Sequence, residues 1–515
     1  MKVTALNLAW ALSRAAKVRR FHAGLADPEA VQGRWLTRFL RDNAQTAYGR
    51  AHRYAAVTSV RQFRSQVPVT NYEALAPWIT RIEDGEREVL TREPVLVLER
   101  TSGSVAGPKH VPYTAGLLAD FGEATGPWLD DLSRAFPSLL TARQYWSLSP
   151  VAREPEVTRG GVRIGLEDDT EYFDGATRFA MKRLFAVDGA VAKSRDLESW
   201  RAKTLEQLVA AEDLGFISVW NPSFLTLLMD ALLHAWPTFA ATLPPKRVAA
   251  IEARVKRAGA FVGEAVWPKL RVISCWTDAW AAQALPGLRR YFPTTPFEGK
   301  GLLATEGVVS FPLWAQRAPV AAVTSHFLEF ESLEDGLVSG VHELRKGATY
   351  APLLTTRGGF ARYRLADVVR CVGFYGRAPL LQFEGRLDRG SDLRGEKLNA
   401  AFVEAAVRAV LVEHPATFAL VAPELGEPPR YVVYVEGAKQ PGHLAADLEQ
   451  RLCETLHYRY ARDLGQLGPL QAQVVERGEA RFLVEQQRRG VRLGDIKPSG
   501  FDPRPGWGNV FASGS

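Results

Sequence analysis

The chain has 515 residues, of which 46% are hydrophobic and 23% charged, and this balance is typical of a globular protein with about two to four structural units. Its 64 basic and 57 acidic side chains leave a formal charge of +7 without a basic stripe, which argues against a nucleic-acid-binding protein. The three cysteines, Cys275, Cys371 and Cys453, are far apart in sequence and exclude a disulfide framework or a zinc motif.

The N-terminal segment has a lysine before a short apolar run, so a signal peptide and an amphipathic helix are both open interpretations. Asn7 and Trp10 interrupt the run, and we favour a helix with Leu6, Trp10, Leu12 and Val18 on its apolar face. Its polar face is predicted to carry a short basic run: Arg14, Lys17, Arg19 and Arg20. No apolar stretch reaches the roughly 18 residues that a membrane span requires, so we expect no membrane span and a cytoplasmic protein.

Helical patterns, such as residues 31–41, dominate the first hundred residues, and the apolar run 95–98 predicts a buried strand. Strand-like and helical patterns then alternate between residues 141 and 378, which predicts an α/β sheet. The clearest segments are strands at 216–220 and 270–276 and helices at 222–236 and 277–291.

The composition changes near Glu384, where a charged, glycine-punctuated segment at 385–395 begins. Three further elements are predicted after it: a helix at 399–411, a strand at 430–435 and a helix around 444–458. We therefore expect a large domain at 1–384 and a small α+β domain at 385–515, joined by a hinge near 385–395.

Residues 101–112 have the chemistry of a phosphate-binding loop and precede a helix for which Thr114 is the predicted cap. Hydroxyls at Ser102 and Ser104 can donate to phosphate oxygens, Gly103 lets the backbone approach, and Lys109 supplies a cation. The loop lacks the Gly-Lys-Ser/Thr ending of a Walker A motif. Taken alone, it is equally consistent with an ordinary strand-to-helix turn.

Further motifs follow in series. In GKGLLATEG, Thr305 and Glu306 precede an apolar run, and the carboxylate could hold a magnesium ion. In YRLAD, Asp367 could accept hydrogen bonds from ribose hydroxyls or could cap a strand end. Arg386 lies in GRLD at the change of composition, and Lys497 in GDIK could reach an active site or lie on the surface.

The order TSGS, GPKHVPYT, ATEG, YRLAD, GRLD and GDIK resembles the adenylate-forming superfamily of acyl ligases, in particular its acyl acid-amido synthetase branch, the auxin-responsive family. The resemblance extends over nearly the whole chain, through residues 43–50, 67–73, 326–330 and 355–374. It implies an α/β fold with a large N-terminal adenylate-forming domain of mixed β-sheets flanked by helices, and a small mobile α+β C-terminal domain.

The resemblance also implies ATP and Mg2+ as cofactors, with each role carried over to a matching position. The phosphates would be bound by Ser102, Gly103, Ser104 and Lys109, and the α-phosphate and magnesium by Thr305 and Glu306. The ribose would be held by Asp367 and Arg386, Phe374 would pack near the nucleotide, and Lys497 would be the catalytic lysine. The sequence departs from the family at two places. Leu302 stands before the Thr-Glu pair, where the family often has an aromatic residue, and Leu365-Ala366 stands before Asp367, where a glycine is common.

We therefore predict a ligase that adenylates a carboxylic acid, with an aryl or indolyl acid as candidate, and transfers the acyl group to an amino acid or similar amine. Four aromatic residues are candidates for the acid site, although core packing is the more frequent role of such residues: Tyr145, Trp146, Trp220 and Trp276. An acyl-coenzyme A ligase and a non-catalytic homologue are the alternatives. We expect no nucleic-acid partner and a monomer or weak homo-oligomer.

Overall fold

The computed structural model describes residues 2–100, 109–147, 156–165, 183–194, 196–387, 390–394, 396, 398–491, 496–497 and 499–512. The chain divides into two compact units. The larger comprises Met1–Thr277, Ala284–Leu365 and Arg370–Gln382, and the smaller comprises Asp278–Gln283, Ala366–Val369 and Phe383–Ser515. Both contain helices and strands, as the predicted α/β class requires. In the described part of the chain, no helix has the length and apolar character to cross a bilayer.

The N-terminal part of the larger unit is helical, as predicted. Its helices are Lys2–Gly24, Pro28–Asn43, Ala47–Ala51, Val60–Gln66 and Tyr72–Glu83, with a 3-10 turn at Tyr54–Ala56. Four of the helices begin after a polar cap whose side chain accepts a hydrogen bond from a backbone N–H three residues later. These caps are Asp27, Thr46, Ser59 and Asn71.

The first helix buries a different face from the one predicted. Trp10 and Val18 are buried as expected, but Leu12 is 76% exposed and Arg14 only 6% exposed. The Arg14 guanidinium lies 4.3 Å from the Trp10 ring centroid. Asn7 is also buried, since its amide donates hydrogen bonds to backbone carbonyls of the 3-10 turn Pro137–Thr141 and the residue after it. The buried face of this helix therefore contains the polar side chains of Asn7 and Arg14 as well as apolar ones.

A four-stranded parallel sheet, here called the parallel sheet, occupies the centre of the larger unit's sequence. Its strands, in spatial order, are Arg143–Trp146, Leu214–Ser218, Val272–Cys275 and Phe297–Gly299. The helices around and between them are Ala115–Ala135, Leu197–Ala210, Pro222–His234, Trp236–Ala241, Pro245–Ala258, Gly263–Val266 and Leu285–Tyr291. The predicted alternation is confirmed, but the helix predicted at 277–291 is wrong in its first half, where a 3-10 turn forms at Ala279–Ala284.

Three further groups of strands lie mainly in the larger unit, although residues 367–369 and 383–386 of the second group belong to the smaller one. A four-stranded sheet has the order His110–Tyr113, Val97–Arg100, Arg163–Ile164 and Glu156–Val157. An eight-stranded sheet has the order Ser310–Phe311, Val320–Ala321, Ala378–Arg386, Asp367–Tyr375, Thr349–Thr355, Phe327–Ser332 and Val338–Gly340, with Tyr363–Arg364 paired to Thr349–Thr355. A small hairpin joins Leu303–Ala304 to Gly307–Val308.

The smaller unit is built on a three-stranded sheet, Phe418–Glu424, Arg430–Glu436 and Gln471–Val474, and a short pair, Gly390–Ser391 with Leu398–Asn399. Its helices are Ala400–Glu413, Pro441–Leu452, Leu456–Asp463, Gly478–Arg488 and Trp507–Ala512. Asn399 caps the first of them. The single helix predicted around 444–458 is in fact two. A continuous apolar core, which includes Val403, Val433, Leu448 and Phe501, unites these elements.

Candidate active site

The predicted phosphate-binding segment connects two strands of a hairpin. Val97–Arg100 pairs antiparallel with His110–Tyr113, and Arg100 is the partner of His110. The two ends of the connecting segment are therefore adjacent. Three of its predicted phosphate ligands, Ser102, Gly103 and Ser104, lie outside the described residues. The predicted loop was too long at its end, because residues 110–112 form a strand before the Thr114-capped helix Ala115–Ala135.

Lys109 lies at the base of this hairpin and is half-buried. Its ammonium is 5.5 Å from the centroid of the Tyr72 ring. The neighbouring His110 donates its backbone N–H to the Tyr72 hydroxyl at 2.8 Å, and its Nδ1 lies 2.6 Å from Glu83 Oε1. The helix Tyr72–Glu83 thus fixes the backbone from which the Lys109 side chain extends.

Thr305 and Glu306 form the two-residue connection of the hairpin between Leu303–Ala304 and Gly307–Val308. Tyr113, the last residue of the first hairpin, donates its hydroxyl to the Thr305 carbonyl at 2.5 Å. A Cβ at Gly307 would lie 2.8 Å from His326 Nε2, which explains why glycine occupies this position. The structure therefore joins the hairpin of Lys109 directly to the turn that carries Glu306.

A buried polar cluster lies behind this turn, and sequence reasoning missed it. Arg357 donates two hydrogen bonds to the Asp120 carboxylate, at 2.9 and 2.6 Å, and its backbone carbonyl accepts one from Thr114. Burial raises the pKa of Asp120 to about 7, although Arg357 opposes this shift. Burial and Arg357 together lower the pKa of His326 to about 3. Arg357 and His326 fall in segments that carried the family resemblance, which was the available signal.

Asp367 and Arg386 are brought together within the smaller unit. Arg386 Nη1 donates to Asp367 Oδ1 at 3.4 Å, and the Asp367 side chain is buried. The backbone is held in place as well, because the Leu387 N–H donates to the Ala366 carbonyl at 2.7 Å. A carboxylate beside a guanidinium can bind a pair of hydroxyl groups.

Phe374 does not belong with this pair. It lies in the same strand as Asp367, Asp367–Tyr375, but seven residues further along, which is roughly 23 Å at about 3.3 Å per residue. Its side chain is 44% exposed. One ribose therefore cannot contact both residues, and packing of Phe374 near the nucleotide stays a prediction.

The aromatic candidates for the acid site separate into two groups. Trp146, Trp220 and Trp276 are each half-buried and follow the carboxyl ends of adjacent strands in the parallel sheet. The Trp220 and Trp276 ring centroids are 5.8 Å apart. Tyr145 precedes Trp146 in its strand and points to the opposite face, where it is fully buried. Tyr145 therefore packs in the core, and its role in the acid site stays a prediction that no contact of the described residues supports.

Lys497 lies in the smaller unit between two anchored positions. Ile496 is buried, and Ser499 donates its hydroxyl to Glu404 Oε1 at 2.7 Å. Lys497 itself is half-buried. Of its motif, residues 494, 495 and 498 lie outside the described part of the chain.

The donors near Glu306 suit a magnesium ion, because a carboxylate beside a hydroxyl offers hard oxygen ligands. Among the described residues, three metal-ligating side chains lie close enough together to hold an ion: Glu413, His414 and Asp447. Glu306 is not one of them. Magnesium commonly binds through one or two carboxylates together with substrate phosphates. Glu306 fits a metal that arrives with the nucleotide.

Sequence comparisons identify related proteins. Models of the GH3 family N-terminal, central and C-terminal domains match residues 17–244, 320–386 and 400–501. A probable indole-3-acetic acid-amido synthetase of Oryza sativa subsp. japonica is 24% identical, over 89% of this chain and 88% of that protein. A jasmonoyl-L-amino acid synthetase of Nicotiana attenuata is 23% identical, over 90% and 89%.

The fold comparison covers almost the whole chain. An acyl acid amido synthetase solved with 2,4-DB superposes with a TM-score of 0.82 at 21% identity, over 95% of this chain and 94% of that one. A second structure of such a synthetase gives a TM-score of 0.77. The fold is therefore that of these enzymes. Since the three domain models together match well over half of its length, the chain belongs to the GH3 family of adenylate-forming acyl acid-amido synthetases.

Proposed function

We propose that this protein uses ATP to adenylate an aromatic or otherwise apolar carboxylic acid and then transfers the acyl group to the amine of an amino acid. The hydrogen bond from Tyr113 to the Thr305 carbonyl carries the proposal. It joins the hairpin that flanks the phosphate-binding segment to the turn that carries Glu306. Both groups that an adenylation requires, a cation for phosphate and a carboxylate for a metal, are thus held on one connected framework.

In the first step, a carboxylate oxygen of the acid attacks the α-phosphorus of ATP, and the bond from that phosphorus to the β-phosphate oxygen breaks. Ser102, Gly103, Ser104 and Lys109 would bind the phosphates, and Thr305 would contact the α-phosphate. Glu306 would hold Mg2+, which when bound neutralises charge on the departing pyrophosphate. Positioning and charge neutralisation supply the catalysis, because the protein forms no covalent bond.

Two groups of the smaller unit complete the proposed machinery. Asp367 and Arg386 would hold the ribose hydroxyls, and Lys497 would stabilise the negative charge on the α-phosphate in the transition state. We further propose that the domains are residues 1–384 and 385–515 and that the small one turns at a hinge near 385–395 between the half-reactions. The resemblance to the adenylate-forming superfamily supports this movement.

In the second step, the amine nitrogen attacks the acyl carbon, the bond from that carbon to the phosphate oxygen breaks, and AMP leaves. The amine loses a proton as the amide forms. Trp146, Trp220 and Trp276 offer flat apolar surfaces for an aryl or indolyl acid, and one relative is named as a probable indole-3-acetic acid-amido synthetase. We propose that the reaction takes place in the cytoplasm.

A two-stage assay tests the proposal. Purified protein is incubated with ATP, magnesium and a panel of aryl and indolyl acids, and acid-dependent exchange of labelled pyrophosphate into ATP is measured. Amino acids or coenzyme A are then added. We expect exchange with at least one acid and amide formation with amino acids. Exchange absent across the panel would refute the adenylation, and a thioester as sole product would show a coenzyme A ligase.

The variant Lys109→Ala tests whether Lys109 binds the phosphates of ATP. We expect it to weaken ATP binding and slow exchange by at least tenfold. Lys346→Ala is the matched control, because Lys346 is an exposed lysine of the same unit. Equal behaviour of the two variants would remove Lys109 from the proposed site.

A further inference from the structure

A row of polar side chains crosses the parallel sheet close to the carboxyl ends of its strands. Trp146 is paired with Ser218, Ser218 with Ser274, and Ser274 with Glu298. Residues paired across parallel strands point to the same face of a sheet, so these four side chains share one face. Ligands of open α/β sheets bind beyond the carboxyl ends of the strands, which is where this row lies.

A second row follows on the same face, two residues after the paired positions of the second, third and fourth strands. Backbone pairing continues there, since the Trp276 N–H donates to the Trp220 carbonyl at 2.8 Å. The residue in this position after the fourth strand is Lys300. The tryptophans predicted to contact the acid are therefore neighbours of a lysine.

Lys300 is a cation enclosed by indole rings. It is 3% exposed, and its Nζ donates to Ser218 Oγ at 2.6 Å. The same Nζ lies 4.9 Å from the ring centroid of Trp220, 5.4 Å from that of Trp128 and 5.7 Å from that of Trp146. Aromatic faces stabilise a cation at this distance, but the charge remains in a setting of low dielectric. An oxygen acceptor brought to such a cation is bound strongly.

Glu298 and Ser274 add polar atoms that are buried beside this lysine in the row. Glu298 Oε2 accepts a hydrogen bond from the Trp128 indole N–H at 2.8 Å. Its side chain also forms a hydrogen bond with Ser274, the paired residue on the neighbouring strand. Both residues are at least 95% buried, so they place polar groups beside Lys300 in the protein interior. Burial raises the pKa of Glu298 to about 8, which makes its carboxyl a donor at neutral pH.

We propose that Lys300 determines acid specificity: it selects acids whose aromatic or apolar body carries a second oxygen acceptor, such as a phenolic hydroxyl, a carbonyl or a second carboxylate. This inference rests on the proposed function. The flat body of the acid lies against Trp146, Trp220 and Trp276. Its second oxygen accepts hydrogen bonds from Lys300 and the neighbouring polar side chains. The carboxylate that is adenylated belongs instead at the turn of Thr305 and Glu306.

The physical reason is a difference in binding free energy between matched acids. An acid that carries the acceptor gains a charge-assisted hydrogen bond that an acid without it cannot form. A site built to hydrogen-bond an oxygen rejects the analogue without it more strongly than an apolar pocket rejects an extra methylene. The expected discrimination by the wild-type protein is at least tenfold in kcat/KM.

The test compares pairs of acids that differ only in the distal oxygen, for example 3-phenylpropanoate with 3-(4-hydroxyphenyl)propanoate and with its 4-carboxy analogue. Each is measured in pyrophosphate exchange and, independently, by the change in tryptophan fluorescence on binding. Lys300→Met preserves the length of the side chain and removes its charge. We expect it to reduce the preference for the oxygen-bearing acid by at least tenfold in both measurements. Lys346→Met, on the surface, is the matched control.

Two results would overturn the inference: a preference that survives in Lys300→Met, or equal losses for both members of every pair. The second would mean that Lys300 binds the reacting carboxylate or only supports the fold. If Lys300→Met does not fold, Ser218→Ala decides in the same assay, because it removes the hydroxyl that fixes Nζ. Absence of exchange by the wild-type protein with every acid would refute the proposed function itself, which keeps the two failures distinct.

Discussion

The turn of Thr305 and Glu306 and the carboxyl edge of the parallel sheet belong to the same unit but position their side chains differently. The turn is held from outside, by Tyr113 at the Thr305 carbonyl and by the close approach of Gly307 to His326. The edge is held from within, by strand register that aligns Trp146, Ser218, Ser274 and Glu298. In the proposed reaction the turn would therefore serve the adenylation of any acid, while single substitutions along the edge would change which acid is bound.

The largest effect is expected from Lys497→Ala, which tests whether a group outside both regions governs the chemical step. Removal of a charge that stabilises the transition state costs about 2–4 kcal/mol, or roughly 30- to 1,000-fold in rate. The anchors Ile496 and Ser499 remain, so the fold should be unchanged. Single-turnover formation of the acyl-adenylate gives the rate. An unaltered rate would show that another lysine has this role.

A smaller effect is expected from Asp367→Asn, which weakens the pair with Arg386. We expect the KM for ATP to rise about tenfold, equivalent to about 1.4 kcal/mol, because charge-assisted hydrogen bonds to the ribose are lost. The KM for the acid should change little. Steady-state kinetics with each substrate varied in turn provide the measurement. Asp463→Asn, at an exposed position of the smaller unit, is the control, and equal KM values for the two variants would argue against ribose binding.

Tyr113→Phe tests the attachment of the turn directly. It removes one hydroxyl and with it the hydrogen bond to Thr305, which is worth about 1 kcal/mol. The expected result is a roughly fivefold slower adenylation with unchanged selectivity between acids. The exposed Tyr460 offers the control Tyr460→Phe. A change in acid selectivity, with the rate preserved, would mean that the two regions are not separate.

Glu298 is expected to affect the stability of the fold and not the rate of the reaction. Its pKa is about 8 in the folded protein, raised mainly by burial, against 4.5 as the model-compound value. The folded state therefore retains a proton that the unfolded state has lost, and stability falls as pH rises between these values, by at most about 1.4 kcal/mol per unit. Glu298→Gln should flatten this dependence in urea unfolding between pH 5 and 8. The same slope in both proteins would contradict a neutral Glu298.

The comparison also explains what the sequence could and could not predict. Thr305, Glu306, Asp367 and Arg386 could be proposed as site residues because each lies in a contiguous motif, which can be recognised without knowledge of the fold. The acid edge depends on register between distant strands, so Ser218 and Lys300 carried no signal by themselves.

The differences between prediction and structure have equally physical causes. Tyr145 and Trp146 are adjacent in sequence, yet strand alternation sends them to opposite faces, and only Trp146 lies on the face of the proposed acid site. Phe374 follows Asp367 closely in sequence, but an extended strand separates the two. Arg14 was predicted to lie on the polar face of its helix because it is charged. In the structure it is buried, and its guanidinium lies over the Trp10 ring.

The most direct test of the central claim follows the oxygen atoms of the acid. The acid is labelled with oxygen-18 in its carboxylate and incubated with ATP, magnesium and an amino acid, and the products are analysed by mass spectrometry. Attack of the carboxylate on the α-phosphorus, followed by attack of the amine on the acyl carbon, leaves one labelled oxygen in AMP. Label in orthophosphate together with ADP, or AMP without label, would contradict an acyl-adenylate.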